Sequence, residues 1–285
     1  MASNKIFSLF FFIFAVLFLT AFNAVDTPAS SVTKADAVVL DDGAKFHKSK
    51  CWFAFSKDNI ECGWLDTAPA NSSTKSEFQL PVVVFRYEGP DKKDDPVVYL
   101  AGGPGAGAWL DAELIQSFWQ NEWDSKLSKL KRDLVLFDQR GSGLSQPVIH
   151  CPQYEEHITR LLLSHNTPTV NSELYRDATL ACKSYLENLG IPINQLATHH
   201  SANDVVDIMT ALGYETWNIQ SVSYGTRLGI ETQRRYPKKV RTLLLDSVYP
   251  PTAHLFQDWP KLLNASLNRM FKHCETDNSC SVSAA

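Results

Sequence analysis

The stretch Gln220-Ser-Val-Ser-Tyr-Gly-Thr-Arg-Leu-Gly229 decides how this chain is read. It continues the apolar run TWNIQS, Thr216–Ser221, and opens a helix-like run, Tyr224–Arg235, that stops before Pro237. A serine between a strand and a helix is the setting of a nucleophile elbow, a tight turn that lifts the hydroxyl above the sheet. The pattern of that turn is G-x-S-x-G. Here it is Ser221-Val222-Ser223-Tyr224-Gly225, with a serine at the first glycine position. Strand and helix pass closely there, and serine is nearly as small as glycine. Taken alone, S-x-S-x-G also describes many ordinary turns, so the rest of the chain has to arbitrate.

Working outward, other short apolar runs end in loops of special composition. PVVVFRY (Pro81–Tyr87) stops at the turn-rich EGPDKKDDP. VVYL (Val97–Leu100) runs into AGGPGAG, DLVLF (Asp133–Phe137) into DQRGSG, and TLLLD (Thr242–Asp246) is the last. Continuous apolar strands are buried on both faces, which predicts a parallel sheet covered by helices. The helices lie between them. Val205, Ile208, Met209 and Leu212 form one apolar stripe ended by Gly213, and Ser201 with Asp204 suggests a capping box at its start. Glu173–Gly190 is a further helix with a glycine stop. Strand and helix in alternation give an α/β fold, mostly parallel with helices on both faces.

The glycine-rich turn after VVYL leaves backbone N–H groups free to face an anion. Acyl transfer needs such donors for the oxygen of its tetrahedral intermediate, one from this loop and one from the residue after the nucleophile, Tyr224. A tight turn without a ligand is the plainer alternative. A phosphate loop is disfavoured, because no Gly-Lys-Ser/Thr follows. In DQRGSG, Asp138 and Arg140 are expected to tie down the turn as an ion pair, serving as scaffold.

Composition narrows the classes. The apolar fraction is 44% and the net charge −4, with no basic stripe for nucleic acid and no acidic tail. MASNK followed by IFSLFFFIFAVLFLTAF has the form of a secretory signal peptide over 1–24, with cleavage after Ala24 or Ala29; an uncleaved anchor is the alternative. No later segment is apolar enough to span a membrane. Residues 25–44 have no period and are expected to be a linker. Cys51, Cys62, Cys151, Cys182, Cys274 and Cys280 are an even set in an exported chain, hence disulfides. Proximity favours Cys51–Cys62 and Cys274–Cys280 and leaves Cys151–Cys182. Their spacing is not that of zinc ligands. Asn71-Ser-Ser and Asn264-Ala-Ser are glycosylation sequons.

AGGPGAG, DQRGSGLSQPV.HCP, W.....SYGTRLG and LLLDSVYPP, in this order, resemble the exported α/β-hydrolases of the prolyl iminopeptidase and tripeptidyl aminopeptidase group. The resemblance covers roughly Lys50 to Cys280. It implies an α/β-hydrolase core over 45–250, a serine hydrolase removing residues from peptide N-termini, peptide substrates, and no metal or cofactor. The family's nucleophile falls on Ser223 and its oxyanion donors on Gly103 and Tyr224; the histidine usual before GGPG is Ala101 here. The family's cysteine pairs match the three pairings above.

A serine hydroxyl is weak until a base takes its proton, and in this fold acid and histidine follow the serine on later strands. The resemblance places a helical cap after TLLLD, so 251–285 is expected to be the start of a cap, with the chain truncated inside it and inactive as it stands. The downstream histidines are His254 and His273. Asp246 with His254 would make a compact triad, though no strand separates them to carry the imidazole back; His273 is expected on the surface. A non-catalytic exported binding protein and an esterase of the same fold are the alternative functions.

Overall fold

The computed structural model describes residues 37–54, 59–69, 78–277 and 280. The expected leader and the Asn71 sequon lie outside them. Eight strands form one sheet: β1 Ala37–Val39, β2 Lys45–Ser49, β3 Ile60–Asp66, β4 Gln79–Phe85, β5 Val97–Leu100, β6 Leu134–Phe137, β7 Trp217–Val222 and β8 Val240–Asp246. Their spatial order is β1-β2-β3-β4-β6-β5-β7-β8. The expectation of a mostly parallel sheet holds for one half only. β6, β5, β7 and β8 are mutually parallel, whereas β1 to β4 form an antiparallel meander whose last strand pairs antiparallel with β6. β1 falls inside the stretch expected to be linker.

The strands are two-sided, as their apolar runs require. In β4, Val82 and Val84 join one core while Val83 and Phe85 join the other; in β6, Val135 and Phe137 oppose Leu134 and Leu136. This is the two-residue period of a strand expressed on both faces. The first core is closed by helices α4 (Thr198–Ala211) and α5 (Tyr224–Arg235), through Val205, Ile208, Met209 and Leu228. The second is closed by α1, which starts at Ala112–Leu114, passes through a π-helical turn at Ile115–Trp119 and continues as Gln120–Ser125. Ile115, Trp119 and Trp123 are its buried side.

Helices α2 (Pro152–Leu162) and α3 (Pro168–Asn188) lie between β6 and α4, and α6 (Leu255–Thr276) follows β8. The Asn264 sequon is exposed on α6. The structure pairs Cys51 with Cys62, Cys151 with Cys182 and Cys274 with Cys280. The second of these joins the start of α2 to α3.

The capping-box reading of Ser201 and Asp204 is corrected. Helix α4 begins at Thr198, with Ala197 as its N-cap, and both residues are buried within the helix. Asp204 instead accepts two hydrogen bonds from the Arg140 guanidinium, at 2.6 and 2.8 Å. The ion pair expected between Asp138 and Arg140 therefore gives way to a longer-range one. Asp138 accepts backbone N–H groups, from Ala108 at 2.6 Å and Leu144 at 2.7 Å.

Candidate active site

Ser223 is the turn between β7 and α5, with φ 54° and ψ −123°. A non-glycine residue at positive φ is uncommon, and such strain clusters at functional sites. Four hydrogen bonds hold the turn. The Ser223 N–H donates to the Asp246 carbonyl at the end of β8, at 2.9 Å. The Thr226 hydroxyl donates to the Ser223 carbonyl at 2.6 Å and accepts the Tyr249 N–H at 2.8 Å. The Tyr224 hydroxyl meets that of Thr198, 2.8 Å away, at the start of α4.

The glycine positions of the motif have distinct reasons. A Cβ on Gly225 would sit 2.2 Å from the Leu100 carbonyl oxygen, so α5 can approach β5 only with glycine there. Ser221 fits the other position because its hydroxyl donates to the Leu244 carbonyl on β8, at 2.9 Å. The serine is buried and satisfied, which accounts for the departure from G-x-S-x-G.

The AGGPGAG loop leaves β5 directly beside the elbow. A Cβ on Gly102 would lie 3.0 Å from Ser223 Cβ and 3.6 Å from its Oγ. Gly103, at φ 106°, continues the turn. The loop is tied to the one after β6. Gln139 Nε2 donates to the Ala101 carbonyl at 2.9 Å, and Asp138 bonds the N–H groups of both loops. Burial pushes the Asp138 carboxyl up to about 6, against the two N–H bonds that favour its ionised form. Sequence reasoning singled out Ser223, Gly103 and Tyr224, and the structure places the glycine loop against Ser223; it missed Gly102 as the glycine packed on that serine and Asp138 as the anchor of both loops. The run of glycines before the elbow was the available signal for the first; the second has no local signature.

The compact triad is not assembled. Asp246 Oδ1 accepts the Ser247 hydroxyl at 2.9 Å, and His254 is exposed at the start of α6, where its backbone N–H donates to Asp258. His273 is exposed on α6. Among the described residues, no histidine is hydrogen-bonded to Ser223 Oγ.

Ser223 thus stands at positive φ after a parallel strand, faced by a glycine turn from the neighbouring strand. The model of the alpha/beta hydrolase fold matches residues 95–283. This chain belongs to that family. Among curated proteins it is similar to tripeptidyl aminopeptidase of Streptomyces lividans, 28% identical over 204 residues, covering 68% of this chain and 36% of that protein. It is also similar to serine protease Hip1 of Mycobacterium tuberculosis, 26% identical over 185 residues, covering 60% of this chain and 33% of that protein. The chain thus spans about a third of the length of these relatives. Among solved structures, proline iminopeptidase of Mycobacterium smegmatis aligns with TM-score 0.35 at 18% identity, covering 59% of this chain and 40% of that one.

Proposed function

We propose that this hydrolase-fold protein is a serine aminopeptidase that releases residues from peptide N-termini through an acyl-enzyme on Ser223. The observation that carries the proposal is the strained Ser223 turn with Gly102 packed against it. In this reading the Ser223 hydroxyl attacks the scissile carbonyl, and the N–H groups of Gly103 and Tyr224 take the developing oxyanion. The Tyr224 N–H lies at the N-terminus of α5, where the helix dipole favours negative charge. Asp138 is a positioning residue that holds the Gly103 loop. The named relatives support peptides as the substrate class. The three disulfides support an exported protein, consistent with a leader over 1–24.

The test is hydrolysis of tripeptidyl and prolyl nitroanilides by the protein. Ser223→Ala is expected to lower kcat/KM by at least about 10³-fold. Unchanged amide cleavage by that variant overturns the assignment, and rapid cleavage of nitrophenyl esters without amide cleavage replaces the aminopeptidase by an esterase. N-terminal sequencing of exported protein is expected to begin between Val25 and Ser31; a start at Met1 or Ala2 overturns the leader.

A further inference from the structure

We propose that Trp109 and Phe118 form an aromatic subsite, at the elbow end of the sheet, for a bulky apolar side chain of the peptide substrate. The inference rests on the peptidase reading above and names what that site would select.

Trp109 stands at φ 60° yet is 49% exposed. For a bulky side chain this is an outlier that persists only where the surroundings force it. Here they do. Ala108 and Leu110, on either side, are each 1% exposed. The Ala108 carbonyl accepts the Trp119 indole N–H at 2.7 Å, and the Leu110 carbonyl accepts that of Trp52 at 2.8 Å. The Ala108 N–H is held by Asp138. Three side chains thus anchor the flanking residues inward and turn the Trp109 ring out. Glycine at this position would satisfy the same bonds without strain, so loop packing alone does not explain a tryptophan that leaves half its surface in water.

The ring is not isolated. Phe118, 37% exposed, meets it edge to face at 5.0 Å and is in turn 5.1 Å from Trp119. Phe118 lies in the π-helical turn of α1, an irregularity frequent at functional sites. The placement is that of a substrate contact. The loop leaves the carboxyl end of β5, parallel to β7, and its Gly102 faces Ser223. At Gly107 it is still against Gly143 of the loop after β6. Ligands of open α/β sheets bind at this end of the strands. Two exposed rings at right angles offer apolar surface and ring faces, which suit an aromatic or large aliphatic side chain.

The test is equilibrium binding in the Ser223→Ala protein, which needs no turnover. The probes are Phe-Gly-Gly, Gly-Phe-Gly, Gly-Gly-Phe and Gly-Gly-Gly, each with fluorescein on a C-terminal lysine, read by anisotropy. At least one phenylalanine peptide is expected to bind about tenfold more tightly than Gly-Gly-Gly. Trp109→Gly is expected to erase that preference while leaving Tm unchanged or raised, because strain is relieved; Trp109→Phe is expected to keep most of the preference. Equal affinity for all four peptides overturns the subsite. So does a preference that survives Trp109→Gly, or a fall in Tm in that variant, which would make the ring a packing element. Turnover by the Ser223 protein reports separately. Phenylalanine peptides bound through Trp109 but never cleaved keep the subsite and remove the peptidase; tripeptides cleaved without any phenylalanine preference remove the subsite alone.

Discussion

Replacing Arg140 by methionine strikes an ion pair that joins the β6 loop to α4. The Arg140 side chain is 5% exposed and that of Asp204 is fully buried. Two of its nitrogens bond the two carboxylate oxygens, a third bonds the Gln195 carbonyl at 3.3 Å, and the guanidinium lies 5.4 Å from the Phe78 ring. Removing one partner of a buried pair strands the other charge and costs about 3–5 kcal/mol. Burial already raises the Asp204 pKa, with Arg140 opposing the rise. In Arg140→Met the carboxyl is therefore expected to take up a proton, which holds the loss to the lower part of that range. The double variant Arg140→Met/Asp204→Leu leaves no charge to strand and is expected to recover most of the loss. Urea unfolding at pH 7, followed by tryptophan fluorescence, gives the three free energies. A single variant within about 1 kcal/mol of the parent, or a double variant no more stable than the single one, would refute the reasoning.

Asp138→Asn keeps one acceptor but points an NH₂ at the other N–H; a loss of about 2–3 kcal/mol is expected, together with slower turnover, and parent-like stability counts against the anchor. Gly225→Ala puts a methyl group into the Leu100 carbonyl; a loss of at least about 3 kcal/mol is expected, at the upper end of overpacking because backbone and not side chain must yield, and a parent-like Tm would contradict the close approach. Asp207 is buried on α4, and burial, reinforced by Asp42 and Asp204, pushes its pKa up to about 8. A carboxyl raised in the folded state contributes stability that is complete below the unfolded value near 4 and is lost as pH rises through about 8. Tm of the parent is thus expected to fall more steeply between pH 5 and 9 than that of Asp207→Asn; parallel curves would remove the effect.

What the sequence disclosed follows from how locally each feature is encoded. Tyr224–Arg235 and Val97–Leu100 are found at their expected bounds, because an apolar run and a proline stop are local signals. The start of α3 at Pro168 was missed although Thr167 caps it and proline stands first in the helix, a signature available in the sequence. β2, KFHKS, buries only Phe46, so its alternation was too weak to distinguish it from a loop. Ser201, Asp204, Asp138 and Arg140 were each given a near neighbour as partner, whereas Asp204 meets Arg140 across 64 residues and Asp138 reaches Ala108 across 30. The elbow was legible as a turn. That a serine replaces its first glycine was not explicable until the Leu244 carbonyl came into view.

The mixed sheet also sets a timetable. β2, β3 and β4 pair with strands close behind them in the chain, Ser49 with Cys62 and Ile60 with Phe85. The parallel half has to join distant segments; the Asn218 side chain, for example, bonds the Pro96 carbonyl across 122 residues. Closing so long a loop costs entropy before any contact repays it, so non-local pairing forms slowly. During synthesis the meander is expected to gain protection while β5 and β6 still lack β7. Pulsed hydrogen exchange on refolding protein should then find β3 and β4 amides protected before those of β5 and β7. The Ser223 turn depends on the last of these pairings, which would make it among the last parts of the molecule to reach its final conformation.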